Sequence, residues 1–248
     1  SDVCSSDLRL TVRDDSGLND HATHVAGTIG GDGSLSGGTH RGMAPGVVME
    51  SYGFQQDGGL SQGFLYTDPG DLEDDYLDAI NVQGVHLTNN SIGSNLGRNG
   101  FPCAWMGDYG VTSALIDQLA IDHDIRILWA NGNERAFGCT TASGYATTAP
   151  PSCAKNHITV GASNSNDDSI TTFTSWGPTN DGRVKPDISA PGCQSDGDFG
   201  ITSTSADGGY TVKCGTSMAT PVVTGISALV LEEWRNEHPG QPDLHNAA

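Results

Sequence analysis

Three side chains far apart in this 248-residue sequence have complementary chemistry: the imidazole of His21, the carboxamide of Asn133 and the hydroxyl of Ser217. A hydroxyl is a weak nucleophile until a base takes its proton, and imidazole is the side chain that titrates near neutral pH. A carboxamide N–H can donate to the negative charge that develops on an attacked carbonyl oxygen, an interaction worth ~3 kcal/mol in the transition state. Taken together the three suit acyl transfer. Taken singly each has an ordinary explanation: Ser217 as a helix N-cap, Asn133 as a turn residue, His21 as a surface or structural histidine. His24, one helical turn after His21, reads as a packed, hydrogen-bonded helper. The remaining histidines, His40, His86, His123, His157, His238 and His245, read as structural or surface residues.

These side chains need rigid elements to hold them. Gly215-Thr216-Ser217-Met218-Ala219-Thr220-Pro221 opens a segment running to about Glu237, in which Val222, Val223, Ile226, Leu229, Val230 and Trp234 recur at helical spacing. Ser217 is expected at the entrance of that helix, where unpaired N–H groups and the positive end of the dipole suit an oxyanion. Pro221 fits only near the helix start. Asn19 and Asp20 are expected to cap a helix through Ile29 that stops at Gly30-Gly31. Further along, strands are expected over Val47–Tyr52, Val85–Ile92, Ile125–Ala130 and His157–Ala162, and helices over Asp71–Val82 and Tyr109–His123. Strands alternating with helices imply an α/β fold with a mostly parallel sheet covered on both faces. Ligands of such sheets bind beyond the carboxyl ends of the strands, so Ser91-Ile92-Gly93 and Asn131-Gly132-Asn133 should share one rim facing Ser217.

Composition narrows the class. A net charge of −19 argues against a nucleic-acid partner, which would demand Lys and Arg. No run of about 18 apolar residues exists to span a membrane. The acidic stretches Asp57–Asp78 and Asp196-Gly197-Asp198 are candidates for calcium, with a solvated acidic face as the plainer reading; neither follows the EF-hand pattern, and no metal ligand set is assigned. Ser1–Leu8 has no apolar core and is not a signal peptide. It resembles a translated sequencing adapter and is read as a non-native segment, leaving 9–248 as one domain truncated at both ends. Of the remaining cysteines none has zinc spacing, and their Gly/Ser/Thr-rich surroundings favour disulfides in a secreted protein. Cys193 with Cys214 is the preferred bridge, since it would pin the loop leading into Ser217; the odd count leaves one thiol over.

Several separate blocks together resemble those of the subtilisin-like serine peptidases, in the family's order. His21-Ala22-Thr23-His24-Val25-Ala26-Gly27-Thr28 is similar to the histidine block, Gly42-Met43-Ala44-Pro45 to the turn before the next strand, and Ser91-Ile92-Gly93 to the substrate-pairing edge. Ala130-Asn131-Gly132-Asn133-Glu134 resembles the oxyanion block, and Gly215–Pro221 the serine block; the 173–192 stretch is close to a family segment preceding the nucleophile. The resemblance, from about Asp20 to Trp234, implies a three-layer subtilisin-like fold and a secreted, monomeric endopeptidase acting on polypeptides. It implies Ser217 as nucleophile, His21 as general base, Asn133 as oxyanion donor, and Ser91, Ile92, Gly93 and Gly132 along the substrate. No cofactor is required for that chemistry; structural calcium is common in the family.

Three departures stand out. Ala22 replaces a glycine after the histidine, and Asn131 replaces a small residue beside the oxyanion block. The family's catalytic Asp ends an early strand well before the histidine block. Asp15-Ser16-Gly17 imitates its signature but lies too close to His21 for an intervening strand, so Asp15 is read as a decoy and the true Asp as encoded upstream. The chain as given is then expected to be weakly active or inactive, since replacing the acid in a serine-protease triad costs ~10⁴ in turnover. Two alternatives are a non-catalytic binding or scaffold module of the same fold, and an acid-acting serine peptidase that uses carboxylates in place of His.

Overall fold

The computed structural model describes residues 9–13, 18–53, 69–136, 139, 143–195, 197 and 199–243. Its elements follow the chain as β1 (Leu10–Val12), α1 (Asp20–Gly30), β2 (Met49–Ser51), α2 (Pro69–Asn81), β3 (Leu87–Asn90), α3 (Leu96–Asn99), α4 (Val111–His123), β4 (Arg126–Ala130), β5 (Ile158–Asn164), β6 (Ile188–Cys193), β7 (Ile201–Thr204), β8 (Tyr210–Lys213) and α5 (Thr216–Glu237). Strands β3-β4-β5-β6 form one parallel sheet in that order, and among the described residues β1 pairs in parallel with β2 alone. A separate antiparallel hairpin, β7–β8, precedes α5.

Strand β4 shows why two helical layers are needed. All five of its residues are buried, and alternate side chains face opposite ways. Ile127 and Trp129 join Leu72 and Tyr76 of α2 and Ile116, Leu119 and Ala120 of α4. Leu128 joins Val160, Ala162 and Ala190 of the neighbouring strands and Ala219 of α5. Val25 and Ile29 of α1 cluster with Met218 of α5, so α1 and α5 share the second face. Three layers result, as the alternation of strands and helices implies: α2 and α4, the mainly parallel sheet, then α1 and α5.

The expected elements all form, most with trimmed ends. Pro221 is further into its helix than a first-turn position, as the sixth residue of α5. The sequence reading did not anticipate β1, β6, α3 or the β7–β8 hairpin. Asp15 and residues 54–68 lie outside the described residues.

Candidate active site

The position of Ser217 follows from a missing N–H. In an α-helix the amide of Pro221 would take the carbonyl of Ser217, four residues back, but proline has no amide hydrogen. That carbonyl instead accepts from the Ser91 hydroxyl at 2.9 Å. The Ser217 hydroxyl donates in return to the Ser91 carbonyl at 3.1 Å. Ser91 is itself set by Asn89, whose Nδ2 donates to its Oγ at 3.0 Å while its Oδ1 accepts from Thr224 of α5 at 2.9 Å. The end of β3 and the first turns of α5 are therefore joined by a continuous polar seam.

Asn133 is oriented by what its oxygen accepts. The N–H and hydroxyl of Thr216 donate to Asn133 Oδ1 at 3.0 and 3.1 Å. Its Nδ2 must then point the other way, and a Cβ placed on Gly215 would lie 3.6 Å from the Ser217 N and 3.7 Å from Asn133 Nδ2. Two N–H donors, one from the backbone at a helix N-terminus and one from a carboxamide, thus border the same small space. The loop carrying Asn133 is clamped from both sides: Ser175 N donates to the Gly132 carbonyl and Ser175 Oγ accepts from Glu134 N, while Gly132 N donates to Thr216 Oγ1. Gly132 has φ 103°, and a side chain there would also press within 3.1 Å of Ser175 Oγ. Asn131, the departure beside this block, is 1% exposed and acts as a strut, donating to Ser175 O at 2.6 Å and accepting from Thr148 at 3.2 Å.

His21 enters from α1. Asn19 caps that helix by accepting from the backbone N–H of His21 and Ala22 at 2.9 and 3.2 Å. Helices α1 and α5 run in the same sense, since Val25 clusters with Met218 and Ile29 O approaches Gly225. His21, one turn before Val25, therefore comes level with the entrance of α5. Burial lowers its pKa below the ordinary histidine value, and the positive charge of Lys213 lowers it further, which favours the neutral imidazole a base requires. Its ring makes no hydrogen bond among the described residues, and the Ser217 hydroxyl is directed to Ser91 rather than to it. Asp20, the adjacent carboxylate, pairs with Lys213 Nζ at 2.6 Å and accepts from Ala206 N. Ala22, another of the departures, is exposed at the cleft that His21 and Ser91 also line.

The β7–β8 hairpin fixes α1 to this site. Ser203 and Thr204 donate to the carbonyls of His24 and Thr23, both at 2.8 Å, and His24 Nε2 is 2.8 Å from Ile201 O. His24 is fully buried and hydrogen-bonded, the packing read from its spacing. The hairpin ends at Cys214, which is bonded to Cys193 as expected; a second bridge joins Cys103 and Cys139. The leftover thiol is Cys153, buried and pushed up to about 12. Along the expected substrate edge, Ile92 O accepts from Trp129 Nε1 at 2.8 Å, while the space above Gly93 is open. No group of three or more His, Cys, Asp or Glu disposed to hold a metal occurs among the described residues. Residues 57–68, Asp196 and Asp198 of the calcium candidates lie outside them.

The sequence reading missed Asn89, Thr224, Ser175 and Thr216. Asn89 is in the mostly polar strand LTNN, Ser175 in a loop, and Thr216 and Thr224 on α5, and a polar residue in such a place does not name its partner.

Known proteins resemble this chain along most of its length. The model of the subtilase family of S8 peptidases matches residues 2–243. Alkaline serine exoprotease A of Vibrio alginolyticus is 32% identical over 229 residues, covering 92% of this chain and 34% of that protein. Serine protease AprX of Bacillus subtilis (strain 168) is 30% identical over 237 residues, covering 87% and 49%. The chain thus spans between a third and a half of the length of these relatives. Among solved structures, the prenylagaramide maturation protease PagA superposes with a TM-score of 0.69 at 26% identity, over 94% of this chain and 71% of that one. A cold adapted subtilisin-like serine proteinase gives 0.64 at 25%, over 94% and 72%. No described helix is long and apolar enough to cross a membrane.

Proposed function

The chain belongs to the subtilase family, and we propose that it is the catalytic domain of a secreted serine endopeptidase acting on polypeptides. Ser217 Oγ bonds to the scissile carbonyl carbon as His21 takes its proton. The carbonyl oxygen, now negative, lies between Asn133 Nδ2 and the Ser217 N–H. When the adduct collapses, the C–N bond breaks and His21 returns the proton to the leaving amine. Water then repeats the two steps on the acyl-enzyme and frees Ser217. Ser91, Ile92 and Gly93 form the edge along which the substrate main chain lies. The observation that carries this reading is the pair of donors beside Gly215, with the Asn133 amide turned outward by Thr216. One donor of this kind is worth ~3 kcal/mol in the transition state.

The acid that orients His21 is proposed to come from a strand outside the given residues, with Asp15 a decoy. In this reading residues 1–8 are foreign to the domain, and the 248-residue chain by itself turns over weakly. The test is fluorophosphonate labelling and casein hydrolysis by this chain and by the protein extended with its upstream coding sequence. Labelling at Ser217 with much faster hydrolysis by the extended protein is expected. An extended protein that stays unlabelled and inert overturns the reading.

A second reading, a non-catalytic module of the same fold, draws on the Ser217 hydroxyl being held by Ser91 rather than by His21. Labelling of Ser217 excludes it.

A further inference from the structure

The chain has 30 acidic residues against 11 basic ones, and most of its cations are matched. Arg13, Arg126, Arg183, Lys185, Lys213 and Arg235 each lie within ion-pair distance of a carboxylate. Arg135 is different. Its guanidinium carbon sits over the Trp176 ring, 3.7 Å from the centroid, and among the described residues no carboxylate pairs with it. Nη1 is shut off from solvent without a hydrogen-bond partner. Nε and Nη2 also lack a partner but are not enclosed in this way. The neighbouring Glu134 is 2% exposed and makes no ion pair with it. An N–H held out of water without an acceptor costs free energy. A guanidinium with its Nε and Nη2 edge open presents two parallel N–H groups, the fork that takes a carboxylate side-on.

This cation is built into the support of the Asn133 loop. Arg135 follows Asn133 by two residues, and the Glu134 N–H between them is held by Ser175 Oγ at 3.0 Å. Trp176 is the next residue after Ser175, so the cation and its ring extend the clamp that fixes Asn133. The ring is fixed in turn: Trp176 N donates to Thr147 Oγ1 at 2.9 Å, and Thr147 N donates to Trp176 O at 2.7 Å. Tyr145 packs on the same ring, with centroids 5.1 Å apart. Gly144, at φ 72°, leaves room for the arginine stem, since a Cβ there would lie 3.6 Å from Arg135 Cγ and Cδ. With the substrate main chain along Ser91–Gly93 and its carbonyl oxygen at Asn133, the side chain nearest this loop belongs to the residue supplying that carbonyl. We infer that Arg135 determines specificity by binding the carboxylate of an aspartate or glutamate at that position, so that the chain cuts after acidic residues. This deepens the peptidase reading and rests on it for the place of the scissile bond; the carboxylate is assigned by the unmatched guanidinium.

The test uses the upstream-extended protein and quenched-fluorescence peptides that differ only in the residue before the cut: Glu, Gln, Asp, Asn, Phe or Lys. A second series places the same residues after the cut. In the first series kcat/KM for each acid should exceed that for its amide by about tenfold or more, the range of a charge-assisted hydrogen bond. Arg135→Leu should bring acid and amide together. Arg135→Glu should favour Lys before the cut, a gain that only a folded enzyme can show. Equal rates for acid and amide, an acid preference confined to the residue after the cut, or a preference that survives in Arg135→Leu overturns the inference. Calorimetric binding of acetyl-Ala-Ala-Glu amide and its Gln counterpart separates this question from catalysis. Tighter binding of the Glu peptide that Arg135→Leu abolishes, with no peptide cleaved, leaves the carboxylate site standing and removes the peptidase reading. Equal or undetectable binding of the two with no cleavage overturns both.

Discussion

Ser91 and Ser217 hold one another by two reciprocal hydrogen bonds, hydroxyl to carbonyl in each direction, at 2.9 and 3.1 Å. The arrangement exists because Pro221 cannot donate to the Ser217 carbonyl. Replacing Pro221 by Ala restores an amide hydrogen to compete for that carbonyl. The helix should survive, and the Ser91 hydroxyl should lose its acceptor. Pro221→Ala is expected to slow fluorophosphonate labelling while leaving the far-ultraviolet circular dichroism unchanged. Unchanged labelling would show that the Ser91 hydroxyl does not position the nucleophile.

Removing the Ser91 hydroxyl gives a complementary result. Ser91→Ala leaves a Ser217 carbonyl and an Asn89 donor without their partner. The penalty for such groups is about 1–3 kcal/mol in folding stability, to be read by urea denaturation. Ser217→Ala should cost less, since only the weaker of the two bonds is lost.

Asn133 is held by Thr216 and aimed at the space beside Ser217. Asn133→Leu in the upstream-extended protein is expected to reduce turnover by about 10²–10³ with little change in KM, the signature of a contact made in the transition state. A rise in KM at constant turnover would make Asn133 a substrate-binding residue instead.

The bridge between Cys193 and Cys214 closes a span of 21 residues that ends three positions before Ser217. A loop of that length corresponds to about 3 kcal/mol of stabilisation through the unfolded chain. Replacing both cysteines by Ser should lower stability by roughly that amount, and labelling of Ser217 should fall with it at temperatures near the transition. Loss of labelling well below the melting temperature would show that the bridge also shapes the site directly.

His157 gives the fold an acid limit. It is buried, its ring nitrogens have no partner, and burial together with Lys185 brings its pKa down to about 3. The unfolded chain, with an ordinary value near 6.5, binds this proton first as pH falls. Stability from this residue is complete above about pH 6.5 and declines from there toward pH 3, by up to ~1.4 kcal/mol per pH unit. Denaturant midpoints of the wild type and His157→Gln should converge as pH falls through this window. Parallel curves would assign the acid limit to other groups.

The elements that carry the chemistry were readable from local pattern. Asn19 before a small-residue helix marked α1, and helical apolar spacing after Gly215 marked α5. Their family was readable because residue type, order and block composition agreed over most of the chain. The contacts that set the site were not readable. Asn89 bonds to Ser91 and Thr224, Ser175 clamps the Asn133 loop, and Thr216 turns its amide, each across a long stretch of sequence. A hydroxyl or amide in a strand has a partner only once the chain has folded, so no periodicity announces it. Strand β6 and the β7–β8 hairpin escaped for a related reason: β6 and β7 are rich in Ser, Thr, Gly and Pro, and the hairpin strands have only four residues each.

The fit of the hairpin against α1 has a practical side. A methyl group on Gly27 would come within 3.0 Å of the Thr204 and Ser203 hydroxyls, so helix and hairpin touch at backbone range. The same hairpin runs on through Cys214 into Ser217. His21 and Ser217 are thereby mounted on one rigid jig, and residues 19–28 and 199–217 behave as a cassette. Anyone exchanging parts between such proteins should transplant both pieces or neither, because a foreign hairpin would tilt the imidazole and the hydroxyl independently.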